Sequence, residues 1–149
     1  MKIYAVVLAC VLAGAFAQDD KNDDSKKKYK ILLECAKKHN LECQKLSDYH
    51  KALEAGGEQI QSVCHCVLKG MGHLDNNDDI LYDEIKKEVP RGIEPEKFSG
   101  FVDRCKSDKG ATPVETSYKF AKCITGQVFK AYYEKKQQQQ GAQLHLSLF

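Results

Sequence analysis

Apolar residues recur every three or four positions along almost the whole chain, the period of a helix that buries one face. Tyr29, Ile31, Leu32, Leu33 and Ala36 form such a face in a first helix that starts near Ser25 and ends at His39-Asn40. Cys43–Leu53 reads as a short second helix, stopped by Ala55-Gly56-Gly57. Ile60, Val63, Val67 and Met71 mark a third over Glu58–Met71, before a turn at Asp75-Asn76-Asn77-Asp78. A fourth is expected over Asp79–Val89, with Ile80, Leu81 and Ile85 on its apolar face and Pro90-Arg91-Gly92 as its stop. Pro95 suits the first turn of a fifth helix running to Cys105. Thr112-Pro113-Val114-Glu115 has a cap, a first-turn Pro and a Glu three residues after the cap. It opens a sixth helix that reaches about Lys135. No internal repeat and no convincing strand interrupts this pattern. The fold class is all-α, a compact bundle of about six short helices.

The ends depart from the period. Met1-Lys2, the apolar run Ile3–Leu12 and the small-x-small triplet Ala15-Phe16-Ala17 have the form of a secretory signal peptide over residues 1–17, too short for a bilayer span. Residues 18–28 read as a solvated polar arm and 29–135 as the helical domain. Residues 136–149 read as a Gln-rich tail ending in the apolar Leu144–Phe149. That tail either folds back over the bundle or stays disordered.

The formal net charge of +2 falls to +1 once Lys2 leaves with the signal, which gives no electrostatic footprint for nucleic acid. A mean hydropathy of −0.51 and the lack of a second long apolar run exclude an integral membrane protein. Of seven cysteines, Cys10 belongs to the signal. The remaining even number, in a chain addressed to an oxidising compartment, reads as a disulfide framework and a secreted, extracellular protein.

Cys66-Val67-Leu68-Lys69-Gly70-Met71-Gly72-His73-Leu74-Asp75 resembles the stretch that follows the third cysteine of the insect odorant-binding proteins. In that register Cys35, Cys66, Cys105 and Cys123 fall on the first, third, fourth and sixth family cysteines. The second and fifth are replaced by Ser62 and Val114. Those two are bonded to each other in the family, so their joint loss leaves no orphan thiol, as in the forms called minus-C. The resemblance implies bridges Cys35–Cys66 and Cys105–Cys123. Cys43 and Cys64 are extra to the pattern, and they are expected to pair with each other. Cys64-His65-Cys66 is a poor zinc motif because a single residue separates the thiols. The position of Cys43 is also similar to that in short salivary relatives from blood-feeding flies.

The family resemblance implies a carrier whose helices enclose a small apolar cavity. Its lining would come from Ile31, Leu32, Val63, Val67, Met71, Ile80, Leu81, Ile85, Phe98, Phe101, Val102, Phe120, Ile124, Val128 and Phe129. The residues alone point rather to a closed core in which these side chains pack on each other. Tyr29, Tyr118, Tyr132 and Tyr133 are candidate hydroxyl partners for a ligand. Of His39, His50, His65, His73 and His145, His73 in the loop after the third helix is the first candidate for acid-triggered release.

The expected partner is a small hydrophobic ligand (an odorant, pheromone or lipid), with a receptor or host protein as a further one. The expected state is a monomer or weak dimer. The alternative is a salivary or secreted effector on the same scaffold that sequesters a host mediator or binds a host protein. No metal or cofactor is expected: Asp75-x-Asn77-x-Asp79 begins like a calcium loop, but Ile80 stands where its Gly belongs and Lys86 where its bidentate Glu belongs. No nucleophile or metalloprotease motif points to an enzyme.

Overall fold

A computed structural model describes residues 22–147, so the expected signal peptide over residues 1–17, Cys10, the start of the polar arm and the last two residues lie outside the described residues. The six helices are α1 (Asn22–Lys38), α2 (Leu46–Ala55), α3 (Glu58–Gly70), α4 (Tyr82–Lys86), α5 (Pro95–Cys105) and α6 (Pro113–Ser147). α6 is the spine of the bundle. α3 packs on it and on α1, α5 packs on it and on α4, and α2 packs against its middle. Among the described residues there is no strand, only an isolated bridge between Leu74 and Ile80.

The largest departures from the sequence expectation are in α1, α4 and α6. α1 begins at Asn22, so most of the polar arm is helical rather than loose. Lysine is a fair helix former, and Lys28 is held by an ion pair of 3.2 Å to Glu88. α4 is one short turn rather than a helix over Asp79–Val89. The Asp75 carboxylate captures the backbone N–H groups of Asn77 and Asp79 at 2.8 and 2.9 Å, and Leu81 N–H donates to His73 C=O. Those bonds commit Asp79–Leu81 to an extended return and delay the helix.

α6 continues to Ser147, so residues 136–147 extend the helix instead of forming a separate tail or folding back over the bundle. Gln is nearly as good a helix former as Lys, and one Gly costs only about 1 kcal/mol. The Gln137–Gln140 side chains are accordingly exposed all round.

α5 matches its expected bounds, and α3 ends one residue early in a Schellman turn. There Gly72 has φ 76°, Gly72 N–H donates to Lys69 C=O and His73 N–H to Leu68 C=O. The start of α6 is capped as its sequence suggests: Thr112 Oγ1 accepts from Glu115 N–H at 3.1 Å, and the Glu115 carboxylate accepts from Ala111 N–H at 2.9 Å. The Ala111 bond is the largest influence holding the Glu115 carboxyl below its ordinary range. At the α1/α3 crossing Gly70 has no room for a side chain, because a Cβ would lie 2.8 Å from Ile31 Cγ2.

Two bridges clip the bundle, Cys35–Cys66 between α1 and α3 and Cys105–Cys123 between α5 and α6. Cys43 and Cys64 are free thiols, so the expected third bridge is absent. α2 starts after Cys43 rather than on it, and the Cys43 thiol donates into its own turn, to Lys45 C=O. The Cys64 thiol is buried and shares a hydrogen bond of 3.5 Å with the Tyr49 hydroxyl. Burial pushes that thiol up to about 12, with the Tyr49 bond pulling the other way.

Candidate functional site

The residues expected to line one cavity sort into two packed clusters. Ile80, Ile85, Phe98, Phe101, Val102, Phe120, Ile124 and Val128 meet Leu68, Ile93 and Ala131 in the first, built by α4, α5 and α6. Leu32, Val63 and Val67 meet Tyr49, Leu53, Ile60, Cys64 and Ala121 in the second, built by α1, α2 and α3, with Ile31 and Met71 half-buried against it. Leu81 belongs to neither and instead precedes α4, tied to His73 through its backbone. Phe129 faces elsewhere: it lines an open groove between α2 and α6.

That groove is the candidate functional site. Its volume is about 460 Å³, within the range of small-molecule pockets. Its walls are His50 and Glu54 from α2 and Thr125, Gly126, Phe129, Lys130 and Tyr133 from α6, with more apolar than polar surface. The residues come together because α6 presents positions 125, 126, 129, 130 and 133 at helical spacing along one edge, and α2 lays His50 and Glu54, one turn apart, beside them. His50 stacks on Phe129 with ring centroids 6.1 Å apart and planes 18° from parallel. Two polar atoms at the site, His50 Nδ1 and Thr125 Oγ1, are buried and have no hydrogen-bond partner. Tyr133 lines the groove while remaining 53% exposed.

The other candidate hydroxyls are already engaged or outside. Tyr118 OH donates to Leu53 C=O at 2.8 Å and fastens α2 to α6, while Tyr132 OH donates to Arg91 C=O. Tyr29 stands exposed on α1.

His73 is buried and hydrogen-bonded to Glu88 at 3.1 Å. Burial of Glu88 raises its carboxyl, but the His73 bond and charge together with Lys28 outweigh this and hold it below the ordinary range. His65 Nδ1 lies 3.3 Å from Ser117 Oγ and its Nε2 3.7 Å from Asp78. Cys66 is spent in a bridge, so Cys64-His65-Cys66 has no pair of thiolates to offer a metal. Among the described residues no group of three His, Cys, Asp or Glu side chains converges as a metal site would require, and no helix is long and apolar enough to cross a membrane.

A second depression of about 410 Å³ lies where the Asp78–Ile80 turn faces Lys109–Pro113. Its surface is mostly polar, and Ile80 is the only expected lining residue in it.

Sequence reasoning missed His50, Thr125, Gly126 and the fully buried Tyr49. Thr125 carried a legible signal. It lies four residues after Ala121 and three before Val128, on the buried stripe of α6, where a polar side chain needs a reason.

The bundle is thus small, all-helical and clipped by two disulfides, and its apolar groove has room for a small molecule beside two buried hydrogen-bonding atoms. The sequence model of the PBP/GOBP family matches residues 17–127, most of the chain and including α1 to α5. The chain therefore belongs to the PBP/GOBP family, the insect odorant-binding proteins, whose members are small-ligand binding proteins. No curated protein and no solved structure matches it significantly.

Proposed function

We propose that this protein is a secreted carrier of small hydrophobic ligands, odorants, pheromones or lipids, and that it works as a monomer or weak dimer in an extracellular fluid. The observation that carries the reading is the apolar groove between α2 and α6 in a chain of this family. The form of residues 1–17 and the two bridges support export to an oxidising compartment. Ser62 and Val114 at the two bonded family positions support a minus-C-like variant.

Binding comes from removing apolar ligand surface from water. At about 0.8 kcal/mol per buried CH2, an alkyl chain of roughly fifteen carbons contributes about 12 kcal/mol, which leaves a micromolar affinity after a cost of about 4 kcal/mol for immobilising it. Native mass spectrometry of the protein purified from its source tests this. A bound lipid-sized adduct, together with saturable binding of N-phenyl-1-naphthylamine to the delipidated protein, is the expected result. Absence of both overturns the reading and favours the alternative of an effector that acts through its surface on a host protein.

A further inference from the structure

The groove between α2 and α6 is apolar along its walls and polar at two buried points. Thr125 is 2% exposed, yet it lines the groove. A threonine inside a helix ordinarily spends its hydroxyl on the carbonyl one turn back, but the Thr125 hydroxyl has no partner. His50 Nδ1 is equally without one, although its ring is fixed by stacking on Phe129. A buried polar atom that has lost water without gaining a hydrogen bond is costly. Two in one groove mark a place where something outside the chain completes the bonding.

Gly126 points the same way. It lies in the interior of α6, where Gly is the poorest residue after Pro, and a Cβ there would meet nothing within 4 Å. Packing does not demand this glycine. Its missing side chain leaves the groove open beside Thr125.

We propose that this groove is the ligand site and that it selects a neutral amphiphile with a hydroxyl head, an aliphatic alcohol or phenol. This rests on the carrier reading and deepens it. A threonine hydroxyl donates and accepts, and an imidazole Nδ1 does one or the other according to its tautomer. A ligand hydroxyl, which does both at once, satisfies the pair; an ether oxygen only accepts and an alkane does neither. The ligand is neutral because the two charged residues of the groove, Glu54 and Lys130, oppose each other in sign. Its apolar part lies along Phe129 and the open surface at Gly126.

The test compares 1-decanol with its isomer nonyl methyl ether, which matches it in size but has no donor, as competitors of N-phenyl-1-naphthylamine on the full secreted chain. The alcohol is expected to bind about tenfold tighter, the worth of one well-made hydrogen bond. Thr125→Val should remove that preference by weakening the alcohol more than the ether, and raise Tm, because it deletes an unpaired buried hydroxyl. Gly126→Phe should fill the groove, abolish displacement by both ligands and leave Tm at or above that of the parent. Equal affinities for the two isomers in the parent overturn the hydroxyl assignment. Unaltered binding in folded Gly126→Phe overturns the site while the carrier reading stands. Failure of the parent to bind the probe or either ligand overturns both.

Discussion

The two apolar clusters lie side by side on α6, with Phe120 in one and its neighbour Ala121 in the other, yet they are built differently. The α4–α6 cluster is aliphatic and aromatic throughout and is closed by Cys105–Cys123. The α1–α3 cluster is closed by Cys35–Cys66 but buries a phenol and a thiol at its centre. One of its three helices, α2, is reached by no bridge and is fastened to α6 by packing and by the Tyr118–Leu53 hydrogen bond. The first cluster is a closed core. The second leaves one helix without a covalent tie, and the candidate groove opens along that helix.

The sharpest way to break this contrast is to remove volume from the closed side. Phe98 and Phe120 are each 1% exposed. Phe120→Ala should cost about 3–5 kcal/mol, the range for a buried Phe whose site cannot collapse, measured by urea denaturation. A cost below that of an exposed substitution would mean that this cluster already holds a compliant cavity. Next in size is removal of a bridge. Cys35 and Cys66 are 31 residues apart and Cys105 and Cys123 are 18 apart. In the chain-entropy account each bridge contributes about 3–4 kcal/mol, the longer loop a few tenths more. Cys35→Ser/Cys66→Ser should therefore lower stability at least as much as Cys105→Ser/Cys123→Ser. The reverse order would place the weaker side of the bundle at α4 and α5.

How far these regions were legible in the sequence follows the same division. α5 and the core positions Phe98, Phe101 and Val102 are plain from helical spacing, because their burial follows from one apolar stripe. Tyr49 and Cys64 are not, since tyrosine is intermediate between core and rim and a cysteine in an oxidising compartment reads as half of a bridge. What fixes them is their meeting across α2 and α3. The expected Cys43–Cys64 bridge is absent: counting thiols says that a pair is available, but not that Cys64 is buried beside the Tyr49 hydroxyl while Cys43 bonds within its own turn. The short α4 was lost to Asp75, whose side chain bonds are invisible to periodicity. The groove was half legible, through Phe129 on the apolar list and Thr125 against its pattern, while its α2 wall depends on tertiary placement.

The buried phenol–thiol pair gives a smaller and more specific test. Tyr49→Phe removes the hydroxyl and leaves the Cys64 thiol unpaired, so it should cost about 1 kcal/mol. Reactivity separates the two cysteines. Burial raises the Cys43 thiol with help from Asp48, but Cys43 is only half-buried, whereas Cys64 is buried and raised to about 12. Only the thiolate reacts, so iodoacetamide at pH 8 should add one label to the native protein, at Cys43, and a second only after unfolding. A native protein that takes no label, with a third bridge by mass, would tie α2 down and remove the asymmetry between the clusters.

The smallest effect concerns the polar seam between them. Glu88 follows α4 on the closed side, Lys28 belongs to α1 on the other, and His73 stands in the loop from α3. The Glu88 carboxyl is held below its ordinary range, burial being outweighed by His73 and Lys28. A group whose folded value is depressed contributes stability that is present above its unfolded value, about 4.3, and is lost as pH falls through the folded one. Because Glu88 is only half-buried, solvent screening limits that contribution to about 1 kcal/mol or less. Melting curves of the parent should therefore lose stability between about pH 5 and pH 3, and Glu88→Gln should be less stable at pH 7 with a flatter acid limb. Equal acid limbs in parent and variant would show that the seam does not couple the two clusters.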